Sequence, residues 1–469
     1  MEPYNLDASL DSYKMFVVKR SELNSRMDPI FYGSDLTKFN KYFPSVKLSS
    51  VVSSFKSGVG AGKQDQAEGD EGIIQIRPTN IDNFGNLKFD KNVYLPYGFK
   101  GDKLKLNDVL FNNTNSQELV GKTTILLEEK ELFYSNHITK IVVDQSQVLP
   151  LYIWIILNIY QENKIFYALC TNWNNQSGVG LELLKSLPIP LPPIQIQESI
   201  VSIIQNAYAQ KQAKEAESKE LLASIDTYLL NELGITLPEK DNSLEARIFT
   251  TKFSEVGRRF DPISFKTSFK NFLNGTYASE ALKNIILKFK SGQGAGRDDQ
   301  SDEELGIIQI RPTNIGDNGN LKFHKNVYIP LSSGYDKLDL NDVLFNNTNS
   351  QELVGKTTVL KENLDLTYSN HITVLKVNEH KLNADYLGNI LNSFQKHKIF
   401  YSICTNWNNQ SGVGLDLLRN IQIPLPPLEK QNEIAEHIAA IRANAKALQE
   451  IAEQILTEAK QQIEQIILG

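Results

Sequence analysis

Hydrophobic residues fall along this chain in two textures. In the first, short β-branched and aromatic runs such as Ile73 to Ile76, Val93 to Leu95 and His137 to Val143 are separated by stretches rich in Gly, Pro and Asn. Runs of that length, bounded by turn-forming residues, predict strands joined by long polar loops, with a helix near 151–169. In the second texture, which begins after each Leu-Pro-Pro, apolar residues recur at three- and four-residue spacing. Ile434, Ile441, Leu448 and Ile455 fall seven apart, and Ile438, Ala445, Ala452, Ala459 and Ile466 fill the alternate seam. That is the pattern of one long helix whose alanines let a partner helix approach closely. Gln197 to Leu233 is its counterpart, carrying Ile200, Ile204, Ala207, Leu221, Ile225 and Tyr228 around a polar centre, with Gly234 as a stop.

Each helix has about 38 residues and so would be roughly 57 Å long. Such apolar seams cannot stay in water. The expectation is an antiparallel pair of helices forming a coiled-coil spacer, with a globular unit before each helix, in a pseudo-two-fold molecule. The fold class is α+β.

The chain is also written twice. TNWNNQSGVG at 171–180 returns at 405–414, and the same offset of 234 residues relates GIIQIRPTNI at 72–81 to 306–315 and LNDVLFNNTNSQELVGKTT at 106–124 to 340–358. YSNHIT at 134–139 returns at 368–373, and SGVGAGKQDQ at 57–66 returns as SGQGAGRDDQ at 291–300. A recent duplication would leave such identities whatever the residues did. The match is uneven, however: residues 1–50 and 241–284 agree little, and the helical stretch 149–163 has drifted far from 382–396. A shared task for the polar blocks explains that unevenness better.

Composition narrows the class. With 41% hydrophobic and 22% charged residues the chain is that of a soluble globular protein of two or more domains. No apolar run approaches the roughly 20 residues that span a bilayer, and the start lacks a signal-peptide pattern. A cytoplasmic protein without a membrane partner is expected. The net charge of −6 lies wholly in 196–240 and 428–469, which hold 7 acids and 4 bases each, so the remainder is balanced and open to local polarisation. The two cysteines, Cys170 and Cys404, occupy equivalent repeat positions and read as small buried thiols; no metal-ligand spacing occurs.

Two stretches imitate a phosphate-binding loop and fail. Ser57 stands where the first glycine is required and Gln64 replaces the magnesium-binding hydroxyl, while Ser116 and Ser350 spoil the second candidate in both copies. No nucleophile-elbow, zinc-deaminase or Asn-Pro-Pro-aromatic motif appears, so a non-catalytic chain is expected.

The polar loops instead hold residues suited to reading nucleic acid. Amides can bond bidentately to adenine, Arg or Lys to guanine, and backbone N–H groups of Gly-rich turns can approach phosphates. The candidates are Lys56, Lys63, Gln64, Arg77, Asn80, Asn112, Asn113, Thr114, Asn115, Lys122, Asn174 and Asn175 in the first copy. In the second they are Lys290, Arg297, Arg311, Asn314, Asn346, Asn347, Thr348, Asn349, Lys356, Asn408 and Asn409. Each has a bland alternative. The Arg before Pro could pair with a carboxylate, the Asn runs could be self-capping turns, His137 and His371 could be packed, and Trp173 and Trp407 could anchor their loops in the core instead of stacking on a base. Joint recurrence in both copies is the stronger fact.

These motifs together resemble the DNA specificity subunits of type I restriction-modification systems. The resemblance is carried by IPLPPIQIQESIVSII and IPLPPLEKQNEIAEHI at the helix openings, by LNDVLFNNTNS with VGKTT, and by IIQIRPTNI with the following GNL, and it covers essentially the whole chain. It implies target-recognition domains at 1–190 and 236–424 and spacer helices at 191–235 and 425–469. It also implies double-stranded DNA, two methyltransferase subunits and restriction/translocase subunits as partners. S-adenosylmethionine, ATP and magnesium would be used by those partners, with no cofactor in this chain. The family's two domains usually differ, whereas these are near copies, so an interrupted, nearly palindromic site is expected. A scaffold whose duplicated loops bind protein or carbohydrate is the alternative from another class, and a system whose methylation and cleavage share one polypeptide is a third.

Overall fold

The computed structural model describes residues 39, 42–69, 71–174, 176–237, 250, 272–408 and 410–468. The chain divides into two compact units, residues 1–213 with 451–469 and residues 214–450.

In the first unit a four-stranded sheet runs in the order Val52–Ser57, Ile138–Val143, Val109–Asn112, Thr123–Ile125, antiparallel throughout. The helix Pro150–Glu162 lays Tyr152, Ile153, Ile156, Leu157 and Tyr160 into a core shared with Val109, Phe111 and Ile141 of the sheet. The expected helix at 151–169 breaks after Glu162, because Lys164 adopts a left-handed φ of 57° before a second short helix, Ile165–Leu169. A smaller sheet pairs Ile73–Ile76 antiparallel with Tyr94–Leu95 and parallel with Phe133–Tyr134. A third joins Thr171–Trp173, Gln176–Gly178 and Thr114–Asn115. The second unit repeats all three sheets in the same strand order.

Each Leu-Pro-Pro turns the chain from head into helix, and a buried glutamine fastens the corner. Gln197 accepts from the Leu149 amide at 2.9 Å and donates to the Pro192 carbonyl at 3.0 Å. Gln431 does the same with Asn383 and Pro426, both at 2.9 Å. Tyr152 and Tyr386 add hydroxyl bonds to the Pro190 and Pro424 carbonyls, at 2.7 and 2.8 Å. The prolines cannot donate, so their neighbouring carbonyls need these side-chain donors once buried.

The helices run Ile194–Glu232 and Leu428–Leu468. Within the second unit their segments are antiparallel, since Ser218 Oγ donates to the Ala445 carbonyl at 2.8 Å, Tyr228 stacks near His437, and Lys430 Nζ meets Glu232 at 2.6 Å. Ala445 is almost fully buried, as the alanine seam requires, and Ser218 in the polar centre is buried with it. In the first unit Ile200, Ile204 and Ala207 share the head core with Leu456, Ala459, Ile463 and Ile467. The buried stripe there departs from the strict seven-residue seam: Ile455 and Ile466 are only partly buried while Leu456 and Ile463 are enclosed. A helix that packs on a globular core needs a wider stripe than a coiled-coil seam. No described helix is long and apolar enough to cross a membrane.

Asp226 ties the first long helix to the second head. It accepts from Ser393 Oγ at 2.6 Å and from His397 Nε2 at 2.7 Å, with its side chain 12% exposed. Burial pushes its carboxyl up, but the His397 and Ser393 hydrogen bonds outweigh that and hold it below the usual carboxylate range. A depressed carboxyl stabilises the fold above its unfolded pKa, and that contribution is lost as pH falls through the folded value. Asp226→Asn should cost about 2 kcal/mol at neutral pH, and the difference from wild type should vanish on acidification. Urea denaturation across pH 3 to 7 reads both.

Candidate nucleic-acid interface

The strand Ile73–Ile76 carries one polar residue, Gln75, and it is wholly buried. Its amide donates to the Val59 carbonyl at 2.8 Å, and its oxygen accepts from Arg77 Nε at 2.9 Å. Arg77 Nη2 reaches the Ala61 carbonyl at 3.1 Å. Two side chains of one strand end thus draw the glycine loop 57–62 onto the sheet. In the second head Gln309 holds Gln293, and Arg311 holds Gln309 and Ala295, at 3.0, 3.0 and 3.2 Å. Burial pushes both guanidinium pKa values down, opposed at Arg311 by Tyr335. The loop also passes so close to the next turn that a Cβ on Gly58 would lie 2.2 Å from the Tyr134 carbonyl oxygen, which no side chain permits.

That turn leads to the asparagine segment. Gly60 faces Asn136 Oδ1, and Asn113 Nδ2 donates to the Asn136 carbonyl at 3.3 Å and to Thr139 Oγ1 at 2.9 Å. Thr114 Oγ1 donates to Asn113 Oδ1 at 2.8 Å. Beside it, Thr114 and Asn115 pair in register with Gly178 and Ser177 of the hairpin Thr171–Gly178. Glycine loop, turn, asparagine segment and hairpin therefore form one continuous polar ridge. Asn347, Thr348, Asn370 and Thr373 rebuild it in the second head.

The ridge gathers some of the candidate residues and not others. Lys63, Gln64 and Arg297 are exposed on the glycine loops, and Asn174 and Asn408 are exposed at the hairpin turns with φ of 35°. Thr114, Asn115, Thr348 and Asn349 are half-buried on the ridge strand, where Asn115 and Asn349 also accept from the following serine amides at 2.8 Å. Lys56 and Lys290 form ion pairs with Asp102 and Asp336. Asn175 and Asn409 lie outside the described residues.

Five candidates are corrected. Asn80 and Asn314 are 1% exposed, Asn112 and Asn346 0%, and Asn347 8%, its amide spent on the Asn370 carbonyl and Thr373 Oγ1. Asn80 Oδ1 accepts from the Arg77 amide at 2.9 Å and its Nδ2 donates to the Lys88 carbonyl at 3.0 Å, a pattern that Asn314 repeats. Asn112 and Asn346 donate to the Leu119 and Leu353 carbonyls. Buried backbone carbonyls and amides demand partners, and these side chains supply them rather than offering an edge to a base. Lys122 and Lys356 stand apart from the ridge, on Asn83 at 2.6 Å and on Asp317 respectively. Burial lowers the Lys122 pKa.

Sequence reasoning missed Gln75 and Gln309, although a lone glutamine in an apolar strand is a readable signal, and Asn136 with Asn370. His371 is half-buried, and burial followed by the Arg311 charge pushes its imidazole below its usual value. Both thiols are buried and donate to the Tyr167 and Tyr401 carbonyls at 3.3 Å. Among the described residues no cluster of three or more metal-ligating side chains occurs.

The model of the type I restriction modification DNA specificity domain matches residues 46–223 and 310–457, more than half of the chain, and the chain belongs to that family. A protein of Methanocaldococcus jannaschii, whose name places it as the specificity subunit of the type I restriction enzyme MjaX, is 29% identical over 160 residues. That match takes in 33% of this chain and 37% of the relative, so it spans little more than a third of that protein. A chain of a solved type I R-M system, studied for complex assembly and conformational transition, superposes with a TM-score of 0.54 at 16% identity. It covers 91% of this chain and 96% of its own length. The S subunit from M. genitalium aligns over 91% and 97% of the two chains, at 12% identity and a TM-score of 0.41.

Arg77→Lys removes the Nη2 bond to Ala61 and the Nε bond to Gln75, since an ammonium cannot reproduce the guanidinium fork. Amides of residues 58–66 should then exchange hydrogen about tenfold faster, from the loss of about 1.4 kcal/mol of local stability. Mass-spectrometric hydrogen exchange compares that loop with the unchanged loop of the second head.

Proposed function

We propose that this chain is the DNA specificity subunit of a type I restriction-modification system and reads an interrupted, nearly palindromic site. Besides family membership, one observation carries the reading: the whole ridge, down to matching hydrogen bonds, recurs on both heads at an offset of 234 residues. Backbone N–H groups of the glycine loops, with Lys63 and Arg297, meet phosphates, while Gln64 and the hairpin amides face base edges. Heads that share reading residues see the same bases on opposite strands. The substitutions along the glycine loop, Val59 for Gln293, Lys63 for Arg297 and Gln64 for Asp298, with Asp65 matched by Asp299, leave room for one differing base or none. At 3.4 Å per base, a spacer of roughly 57 Å suggests half-site centres on the order of a dozen base pairs apart once the loops reach inward.

The chain performs no chemistry itself. In the cytoplasm it recruits two methyltransferase subunits, which modify adenine with S-adenosylmethionine, and restriction/translocase subunits that use ATP and magnesium. The acidic long helices serve as spacer and docking surface.

Methylome sequencing of a host expressing the system should show one bipartite motif with related halves; unrelated halves overturn the palindromic reading. Purified chain with its methyltransferase partner should bind that duplex with a steep salt slope, and Lys63→Ala with Arg297→Ala should lower the slope by about two. Salt-independent or absent binding overturns the DNA role.

A further inference from the structure

The hairpin Thr171–Gly178 carries a feature that amide chemistry does not explain. Trp173 and Trp407 are each 46% exposed, against the expectation that they anchor their loops in the core. The seat of each indole is a glycine: a Cβ on Gly178 would lie 2.4 Å from Trp173 Cη2, and one on Gly412 2.5 Å from Trp407 Cη2. The ring edge thus rests on bare backbone and leaves the rest of the indole open. Among the described residues neither indole meets a ring or a cation, and neither N–H has an acceptor.

The surroundings are firm. Trp173 pairs with Gln176 across the hairpin, and Asn172 Oδ1 accepts from Ser177 Oγ at 2.6 Å and from Cys170 Sγ at 3.4 Å. Asn406, Ser411 and Cys404 repeat this at 2.7 and 3.4 Å. In the second head Trp407 lines an open recess with Gln351, Asn406, Asn408, Gln410 and Ser411. Gln351 donates to the Tyr401 carbonyl at 2.9 Å, which turns its amide into a fixed acceptor. A π-face ringed by amide donors and acceptors fits one chemical class closely: a flat heterocycle with a hydrogen-bonding edge.

We propose that each indole is a stacking platform for a nucleobase displaced from the duplex stack at its half-site, whose edge the surrounding amides hold. The inference rests on the DNA-reading function above. Stacking on an aromatic side chain is sequence-tolerant and strong, and it relieves the cost of unstacking a base. The platform therefore adds affinity and fixes register, while the amides supply the preference.

The test uses the full-length chain and a duplex carrying the methylome-defined site. Trp173→Ala with Trp407→Ala should weaken binding at least tenfold with the salt slope unchanged, because no phosphate contact is lost. Saturating duplex should quench the tryptophan emission of wild type but not that of the double variant, whose remaining tryptophan is the buried Trp154. Phe at both positions should restore most of the affinity and Leu should not. Wild-type affinity in the alanine variant, equal rescue by Leu, or binding without quenching would overturn the platform and leave the DNA role standing. Absence of duplex binding by wild type would overturn both. Unchanged hydrogen exchange across the hairpin is expected in the Phe variant, and loss of protection there with retained affinity would also sink the platform.

Discussion

Everything in each head is referred to one corner, where a buried glutamine stitches the Leu-Pro-Pro turn to the start of the neighbouring helix. Gln197 and Gln431 are 0% exposed, and each satisfies a backbone amide and a proline-flanked carbonyl that would otherwise be buried without partners. Leaving such groups unpaired costs about 1–3 kcal/mol each. The corner sets the angle between head and helix, because neither the prolines nor the doubly bonded amide can rotate freely. The proposed reading of bases requires that rigidity, since a base edge is recognised only within hydrogen-bond tolerance.

The same economy runs through the polar ridge. A glycine loop would be a poor reader if it floated, and the Gln75–Arg77 clamp removes that freedom by bonding its carbonyls from inside the sheet. The amides that look most available in the sequence, Asn80 and Asn112 with their second-head equivalents, are consumed in holding neighbouring loops. What remains on the surface is a sparse set: basic groups on the glycine loop, amides on the hairpin and an open indole. Few exposed groups on a well-braced frame is the arrangement that preorganised binding favours, because little conformational entropy is left to lose.

Duplication explains how two heads can share chemistry while their supports differ. Trp154, whose indole N–H bonds Gly85 and Thr123, faces Tyr208 in the first unit. The equivalent positions in the second are Gly388 and Arg442, and Arg442 Nη2 bonds Asn389 at 2.7 Å. The contacts between helix and head have drifted because any well-packed pair suffices there. The asparagine segment and the hairpin keep identical residues, and the glycine loop differs at Val59, Lys63 and Gln64 against Gln293, Arg297 and Asp298.

By itself the sequence determined the two-fold repeat, the α+β class, the strand-and-loop texture, the two long helices with their alanine seam and the family resemblance. Periodicity and identity at a fixed offset are local properties, and a single chain displays them in full. Tertiary structure alone decided which asparagines are braces and which face outward, since one amide serves either role and only burial distinguishes them. It also decided that Gln75 clamps a loop sixteen residues earlier in the chain. The exposure of Trp173 was likewise invisible in sequence, because an indole usually pays for itself by burial and only its seat on Gly178 leaves it open.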